Sequence, residues 1–252
     1  MKLAFSTLAM GNTTPEMVAL LCQRHQMAAE VRCQGQAFLY SEDMPITNIG
    51  TSICLKGYDE VFIAQSKQLL LSAKEKNIKG ARVFLGNFFR RFDDQRVPLD
   101  EEGMIKSMRE LSEVGVDLWI ETHNEYATGK ALAAFIQKVD RANVGVIWDI
   151  LHPIEDGESI AETWSYLAPY VRHIHIKDAC PPHDAVMHDW YYTKLGEGTM
   201  PVREIVSLVL GDGYDGYFSL EWEAAWREEL RGVCDDIDQL LCDYRQWMEN
   251  MV

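Results

Sequence analysis

The sequence predicts a closed (β/α)8 barrel, a single TIM-barrel domain over residues 1–252. Three observations carry this. Eight short apolar runs alternate with helical patterns along the chain. The length of 252 residues and a hydrophobic content of 47% suit one such barrel with a full core. The runner-up, an open doubly wound sheet, calls for a glycine-rich GxGxxG turn after its first strand, where this chain reads LAMGNTTP.

The first strand is assigned to Lys2–Ser6, and the helix that follows to Thr14–His25, with Pro15 in its first turn. Two strands come next, Ala29–Arg32 and Ile46–Cys54. Tyr58–Asn77 reads as a helix from the spacing of Val61, Ala64, Leu69 and Ala73. Strand Ala81–Leu85 leads to helix Leu99–Gly115, strand Asp117–Thr122 to helix Thr128–Ala142, and strand Val144–Asp149 to helix Ser159–Tyr170. Strand Val171–Lys177 precedes helix Val202–Leu210, and strand Tyr217–Glu221 precedes a helix over Glu228–Met248. Two long irregular stretches, Asn87–Pro98 and Ala179–Gly198, are long enough to suggest functional loops.

Composition narrows the partners. The net charge of −15 repels phosphate backbones, so nucleic acid and anionic membranes are not expected partners. The six cysteines form no CxxC pair, which argues against a zinc finger and fits reduced thiols in the cytoplasm. The opening MKLAFSTLAMG has an apolar run broken by Ser6 and Thr7, so it is not taken as a secretory leader. No run of 18 apolar residues suggests a membrane span.

In barrels of this kind the chemistry sits where the strands end. The first four strands end plainly, at Ser6, Arg32, Cys54 and Leu85. The last four do not: DLWIETHN ends on Glu121 and His123, VGVIWDILHP on Asp149 with His152 beyond, VRHIHIKD on His175 and Lys177, and GYFSLEWE on Glu221 and Glu223. Strand alternation puts Glu121, His175 and Glu221 opposite the apolar faces, so they point into the barrel. Asp149 follows a run that is apolar on both faces. Crowded carboxylates raise one another's pKa values, and a divalent cation relieves this. Three oxygens and one imidazole suit Mn2+, the favoured ion, with Mg2+, Co2+ or Zn2+ as alternatives.

Bland readings apply elsewhere. His123 and His173 divide evenly between a site role and a core or supporting one, Glu223 and Asp178 read as surface or loop groups, and Arg90, Arg91 and Arg96 read as solvated loop charges, with neutralising a phosphate or carboxylate from the rim as the alternative. Trp148, Trp164, Trp190, Trp222, Trp226 and Trp247 are core by default, with Trp190, in the long loop, the best placed to cover a substrate.

These residues, in order, resemble the xylose isomerase-like TIM barrels: Glu in WIETHN, Asp-x-x-His in WDILHP, His in HIHIKDA, the LGEG turn and Glu in GYFSLEWE. That superfamily holds sugar and sugar-phosphate isomerases and epimerases, inosose dehydratases and the endonuclease IV (AP endonuclease 2) type of repair enzyme. The resemblance implies one divalent metal held by Glu121, Asp149, His175 and Glu221, with His152 touching substrate. The repair branch is disfavoured, because ITNIGTSIC and ARVFLGN lack the histidines of its zinc cluster. The expectation is a metal-dependent isomerase or epimerase of carbohydrate metabolism, moving a proton through an enediolate. Glu121 and Glu221 would be the acid–base pair, and His152, Lys177, His123 and Trp190 would contact a sugar or polyol. The alternatives are an inosose dehydratase-like lyase and a non-catalytic sugar-binding barrel. A homo-oligomer is expected by analogy alone.

Overall fold

Parallel strands with both faces covered need helices outside and filler within, and the chain supplies both. The computed structural model describes residues 1–88, 96–182 and 190–251. The barrel strands are β1 (Lys2–Ser6), β2 (Ala28–Gln34), β3 (Ile46–Gly50), β4 (Gly80–Leu85), β5 (Asp117–Glu121), β6 (Val144–Asp149), β7 (Val171–Ile176) and β8 (Tyr217–Leu220). Each pairs in parallel with its sequence neighbours, and β1 pairs with both β2 and β8, which closes the cylinder. The helices are α1 (Pro15–His25), α2 (Glu60–Glu75), α3 (Glu101–Ser112), α4 (Gly129–Val139), the short α5 (Leu151–Glu155), α6 (Ile160–Leu167), α7 (Val202–Gly211) and α8 (Ile237–Glu249). No helix of the described residues is long and apolar enough to cross a membrane.

Helix starts follow local chemistry. Thr14, Asp59, Asp100, Thr128, Ser159 and Asp236 each accept a backbone N–H from the first turn of the helix they precede. Ser159 and Glu162 complete a reciprocal capping box. Two elements depart from the predicted boundaries, the first because of a cap. The run Glu228–Met248 is not one helix: a short 3-10 turn, Glu228–Leu230, gives way at Gly232, whose φ is 72°, and α8 starts afresh after Asp236. The third strand also stops early, at Gly50, and Cys54–Leu55 pairs separately with the end of β4.

Outward residues such as Ile120, Val146, Ile174 and Phe218 are fully buried in one apolar layer with Leu132, Phe135, Val206 and Leu241 from the helices. Each such side chain contributes roughly 1.5–3 kcal/mol when buried. The inside differs. Barrel interiors of this class are ordinarily filled by branched aliphatics. Here Glu30, Asn48, Arg82, Glu121, Asp149, His173, His175 and Ser219 are all buried. Register puts Asp149, His175 and Ser219 at one level of the cylinder.

Near the opposite end, Trp119 fills space that Gly80 leaves open. A Cβ on Gly80 would lie 2.6 Å from the indole ring. Gly80→Ala is therefore expected to destabilise the chain by about 1–3 kcal/mol through overpacking, read as a lowered urea midpoint with an unchanged slope. An unchanged midpoint would contradict this packing.

Candidate metal centre

Four side chains from four successive strands meet at the C-terminal end of the barrel. Ligand-type atoms of Glu121, Asp149, His175 and Glu221 all lie within 4.8 Å of one another, and all four residues are buried. Strand period positions them: Glu121 and Asp149 end β5 and β6, His175 is the penultimate residue of β7, and Glu221 directly follows β8, its N–H donating to Ile176 O at 3.1 Å.

Two basic residues thread between the carboxylates. Arg82 Nη1, from β4, donates to Glu121 Oε2 at 3.0 Å and to Glu221 Oε1 at 3.1 Å, and lies 3.9 Å from Glu30 Oε1. Lys177 Nζ lies 2.7 Å from both Asp149 Oδ2 and Glu221 Oε2, and it also contacts Glu223. Burial alone would push both cations down, but the surrounding carboxylates outweigh it and keep Arg82 and Lys177 charged. Burial pushes the Glu121 carboxyl up to about 7, reinforced by Glu221 and Asp149 and opposed by Arg82 and His175. Burial acts the same way on Glu221, but His175, Lys177 and Arg82 hold it well below the usual range.

His175 is oriented from below. Its Nε2 meets Glu30 Oε2 at 2.7 Å, while His173 Nε2 meets the same oxygen at 3.2 Å. The His173 ring also stacks on Trp119, with centroids 5.9 Å apart. Burial pushes His173 below its ordinary value. With Nε2–H donating to Glu30, His175 Nδ1 turns towards Glu221 Oε2 at 3.2 Å and Glu121 Oε2 at 3.9 Å. This Nδ1 is buried and makes no hydrogen bond among the described residues. A carboxylate holding the far nitrogen of an imidazole is the usual support of a metal-ligating histidine. Charge points the same way. Four buried carboxylates, Glu30, Glu121, Asp149 and Glu221, face two buried permanent cations, Arg82 and Lys177. Burial opposes a charge on His175, but Glu221, Glu30 and Glu121 outweigh it and favour the imidazolium; once that proton is given up for a ligand role, the excess of two negative charges is what a divalent cation offsets. The residues present therefore fit such an ion, held by Glu121, Asp149, His175 and Glu221.

The remaining predicted site residues lie on the rim. His152 Nδ1 is 2.9 Å from Glu155 Oε2, its Nε2 is 3.6 Å from Asp149 Oδ2, and its ring packs edge-on against His123 with centroids 4.4 Å apart. Burial would lower the pKa of His152, but Asp149 and Glu155 outweigh it and raise it. The Trp190 backbone N–H donates to Glu155 Oε1 at 3.0 Å, which ties the long loop to His152. Arg90 and Arg91 lie outside the described residues.

Several readings need correction. Asp178 is no surface group: it is buried and accepts the N–H groups of Ala179, Gly196, Gly198 and Met200 at 2.8–3.2 Å, so it folds the LGEG turn around its carboxylate. Glu223 is partly buried against Lys177. Trp226 is 62% exposed rather than core. The first strands do not end plainly either, because Glu30 and Arg82 belong to the cluster. The signal for both was parity: Arg82 is a lone charge in the apolar strand GARVFL, and Glu30 shares one face of AAEVRC with Arg32 while its neighbours Ala29 and Val31 are apolar.

The family model for the xylose isomerase-like TIM barrel matches residues 9–238. The chain belongs to that family. It is 26% identical over 137 residues to the fructoselysine 3-epimerase of Escherichia coli O157:H7, an alignment spanning 51% of this chain and 48% of that protein. The chain thus matches about half the length of this curated relative. Among solved structures, the IOLI protein with a zinc atom has a TM-score of 0.77 at 16% identity, covering 100% of this chain and 98% of that one. D-psicose 3-epimerase from Clostridium cellulolyticum H10, solved with D-tagatose, has a TM-score of 0.73 at 18% identity, covering 100% and 98%. At these identities the structures speak for the fold.

Replacing Glu30 removes the group that orients His175 without touching the four clustered ligand atoms. Glu30→Gln is expected to weaken Co2+ or Zn2+ binding by about 10–100-fold, measured by titration against a chelator. Unchanged affinity would mean that Glu30 does not serve the centre.

Proposed function

We propose that this chain is a divalent-metal-dependent sugar isomerase or epimerase. The observation that carries the reading is the buried set Glu121, Asp149, His175 and Glu221, with His175 Nδ1 turned towards the carboxylates and its far nitrogen held by Glu30. The sugar epimerases among its relatives support it. Mn2+ is the favoured ion, since three of the four donors are carboxylates. When bound, the ion supplies Lewis acidity to the carbonyl and neighbouring hydroxyl of an open-chain sugar.

The chain's own residues handle the proton. One of Glu121 and Glu221 removes it from the carbon beside the carbonyl, and the other returns one from across the substrate. Return to the opposite face of the same carbon gives epimerisation, and delivery to the neighbouring carbon gives aldose–ketose isomerisation. Arg82 bonds both glutamates through a single nitrogen, Nη1, and so fixes their separation. His152 and Lys177 hold substrate oxygens at the rim, with His123 behind His152, and Trp190 closes over them from its loop. Burial of the cluster keeps stray water from quenching the carbanionic carbon.

The Mn2+-loaded chain, incubated in D2O with a panel of ketoses, aldoses and inososes, is expected to place deuterium on a carbon next to the carbonyl with no loss of mass as water. Loss of water would instead identify a lyase, and tight sugar binding without exchange a binding protein. Glu221→Gln is expected to lower both metal occupancy, by elemental analysis, and exchange, by at least 100-fold. Full occupancy in that variant would rule out Glu221 as a ligand.

A further inference from the structure

A second arginine stands at the barrel mouth, and the chemistry above does not use it. Arg32 lies two residues beyond Glu30 on the same face of β2, about 6.6 Å further towards the C-terminal end. Its side chain is partly buried, and its guanidinium has no ion pair or hydrogen bond among the described residues. The Trp226 ring lies 5.8 Å from its guanidinium carbon. In a chain with a net charge of −15, a partly desolvated guanidinium without a carboxylate is an exception. Burial, together with the nearby charge of Arg82, lowers its proton affinity, and Glu221, Glu121 and Glu30 counter this, which places Arg32 within electrostatic reach of the cluster.

Beside Arg32 is a cavity of about 380 Å3, at the end of β1 and β2 and next to Ala225 in the segment after β8. Among the described residues that line it, Arg32 is the only charged one; Thr7, Asn12, Thr13 and Gln34 supply polar groups. Thr13 Oγ1 is buried and has no hydrogen-bond partner among the described residues. Gly50 keeps the ground between Arg32 and the cluster clear, since a Cβ there would sit 3.1 Å from Glu30 Oε1 and 3.6 Å from Arg82 Nη2. An open cation, a spare hydroxyl and a lining with no carboxylate among its described residues are what an anion requires. Sugar hydroxyls compensate a desolvated guanidinium less well than the bidentate oxygens of a phosphate or carboxylate.

We propose that Arg32 and Thr13 bind an anionic group, a phosphate or carboxylate, at the end of the sugar remote from the carbon that loses its proton. The substrates are then acidic sugars rather than neutral ones. This rests on the proposed sugar isomerase or epimerase reading, and its test is built to fail separately.

Calorimetric titration of the Mn2+-loaded full chain would compare D-fructose, D-tagatose and D-psicose with their 6-phosphates, and D-fructose with D-fructuronate. At least one acidic ketose is expected to bind ten-fold or more tightly than its neutral partner; the phosphate and carboxylate arms identify the group. Arg32→Gln is expected to remove that advantage while leaving neutral-ketose affinity and thermal unfolding unchanged. Arg32→Lys should keep part of it. Thr13→Val should cost several-fold without disturbing a buried charge, and it serves if Arg32→Gln fails to fold. Equal binding of neutral and acidic ketoses, a preference that survives Arg32→Gln, or no binding of any of them would overturn the proposal. Inorganic phosphate titrated into the metal-free chain separates the two readings. Arg32-dependent phosphate binding without deuterium exchange in any sugar would sink the isomerase reading and leave the anion site standing. Exchange with neutral sugars and no dependence on Arg32 would do the reverse.

Discussion

The guanidinium of Arg82, buried between Glu121 and Glu221, is the contact on which the interior depends. Carboxylates from β5 and β8 could not share this space as neighbours without a compensating cation, because desolvation and mutual repulsion would neutralise or expel them. With Arg82 in place, the other charges of the cluster follow within three contacts: Glu30 beside it, His175 and Lys177 on Glu221, and Asp149 on Lys177. With both imidazoles neutral the network falls two positive charges short, a deficit that suits the divalent ion of the proposed function.

The network also divides labour by depth. Trp119 and His173 form the floor, where a stacked ring and a neutral imidazole carry little charge. Glu30 converts that floor into orientation, because one of its oxygens meets both His173 and His175. The strand VRHIHIKD thus alternates for a reason. Ile174 and Ile176 pack outward, His173 braces Glu30, His175 presents Nδ1 to the cluster, and Lys177 neutralises its upper rim. Asp178, the next residue, gathers four N–H groups of the returning loop, so the rim and its covering segment are joined at one carboxylate.

Much of this was legible along the chain. The eight strands and their order follow from apolar runs separated by helical periods, and the caps Thr14 and Ser159 mark helix starts by chemistry that acts within a few residues. Glu121, Asp149, His175 and Glu221 were legible because each stands at a strand end, where inward parity and the active face of the barrel coincide. Glu30 and Arg82 were harder. Both sit within strands rather than at their ends, and a lone charge there reads equally well as an outward surface group. Asp178 was misread because the four amides it serves lie in residues 179–200, and only loop closure brings them to it.

The sequence by itself determined the architecture and the ring of ligand-type residues at its mouth, because strand period and strand order are local properties that survive in one dimension. Only the tertiary structure decided how the charges pair. Arg82 reaches Glu221 across 139 positions of chain and Glu30 reaches His175 across 145. Such partnerships arise only when the sheet closes on itself and removes water from between them. The same closure left Arg32 beside the cavity with no carboxylate partner among the described residues. In an acidic chain many carboxylates could have claimed it, and the direction in which each described strand and loop points decided the outcome.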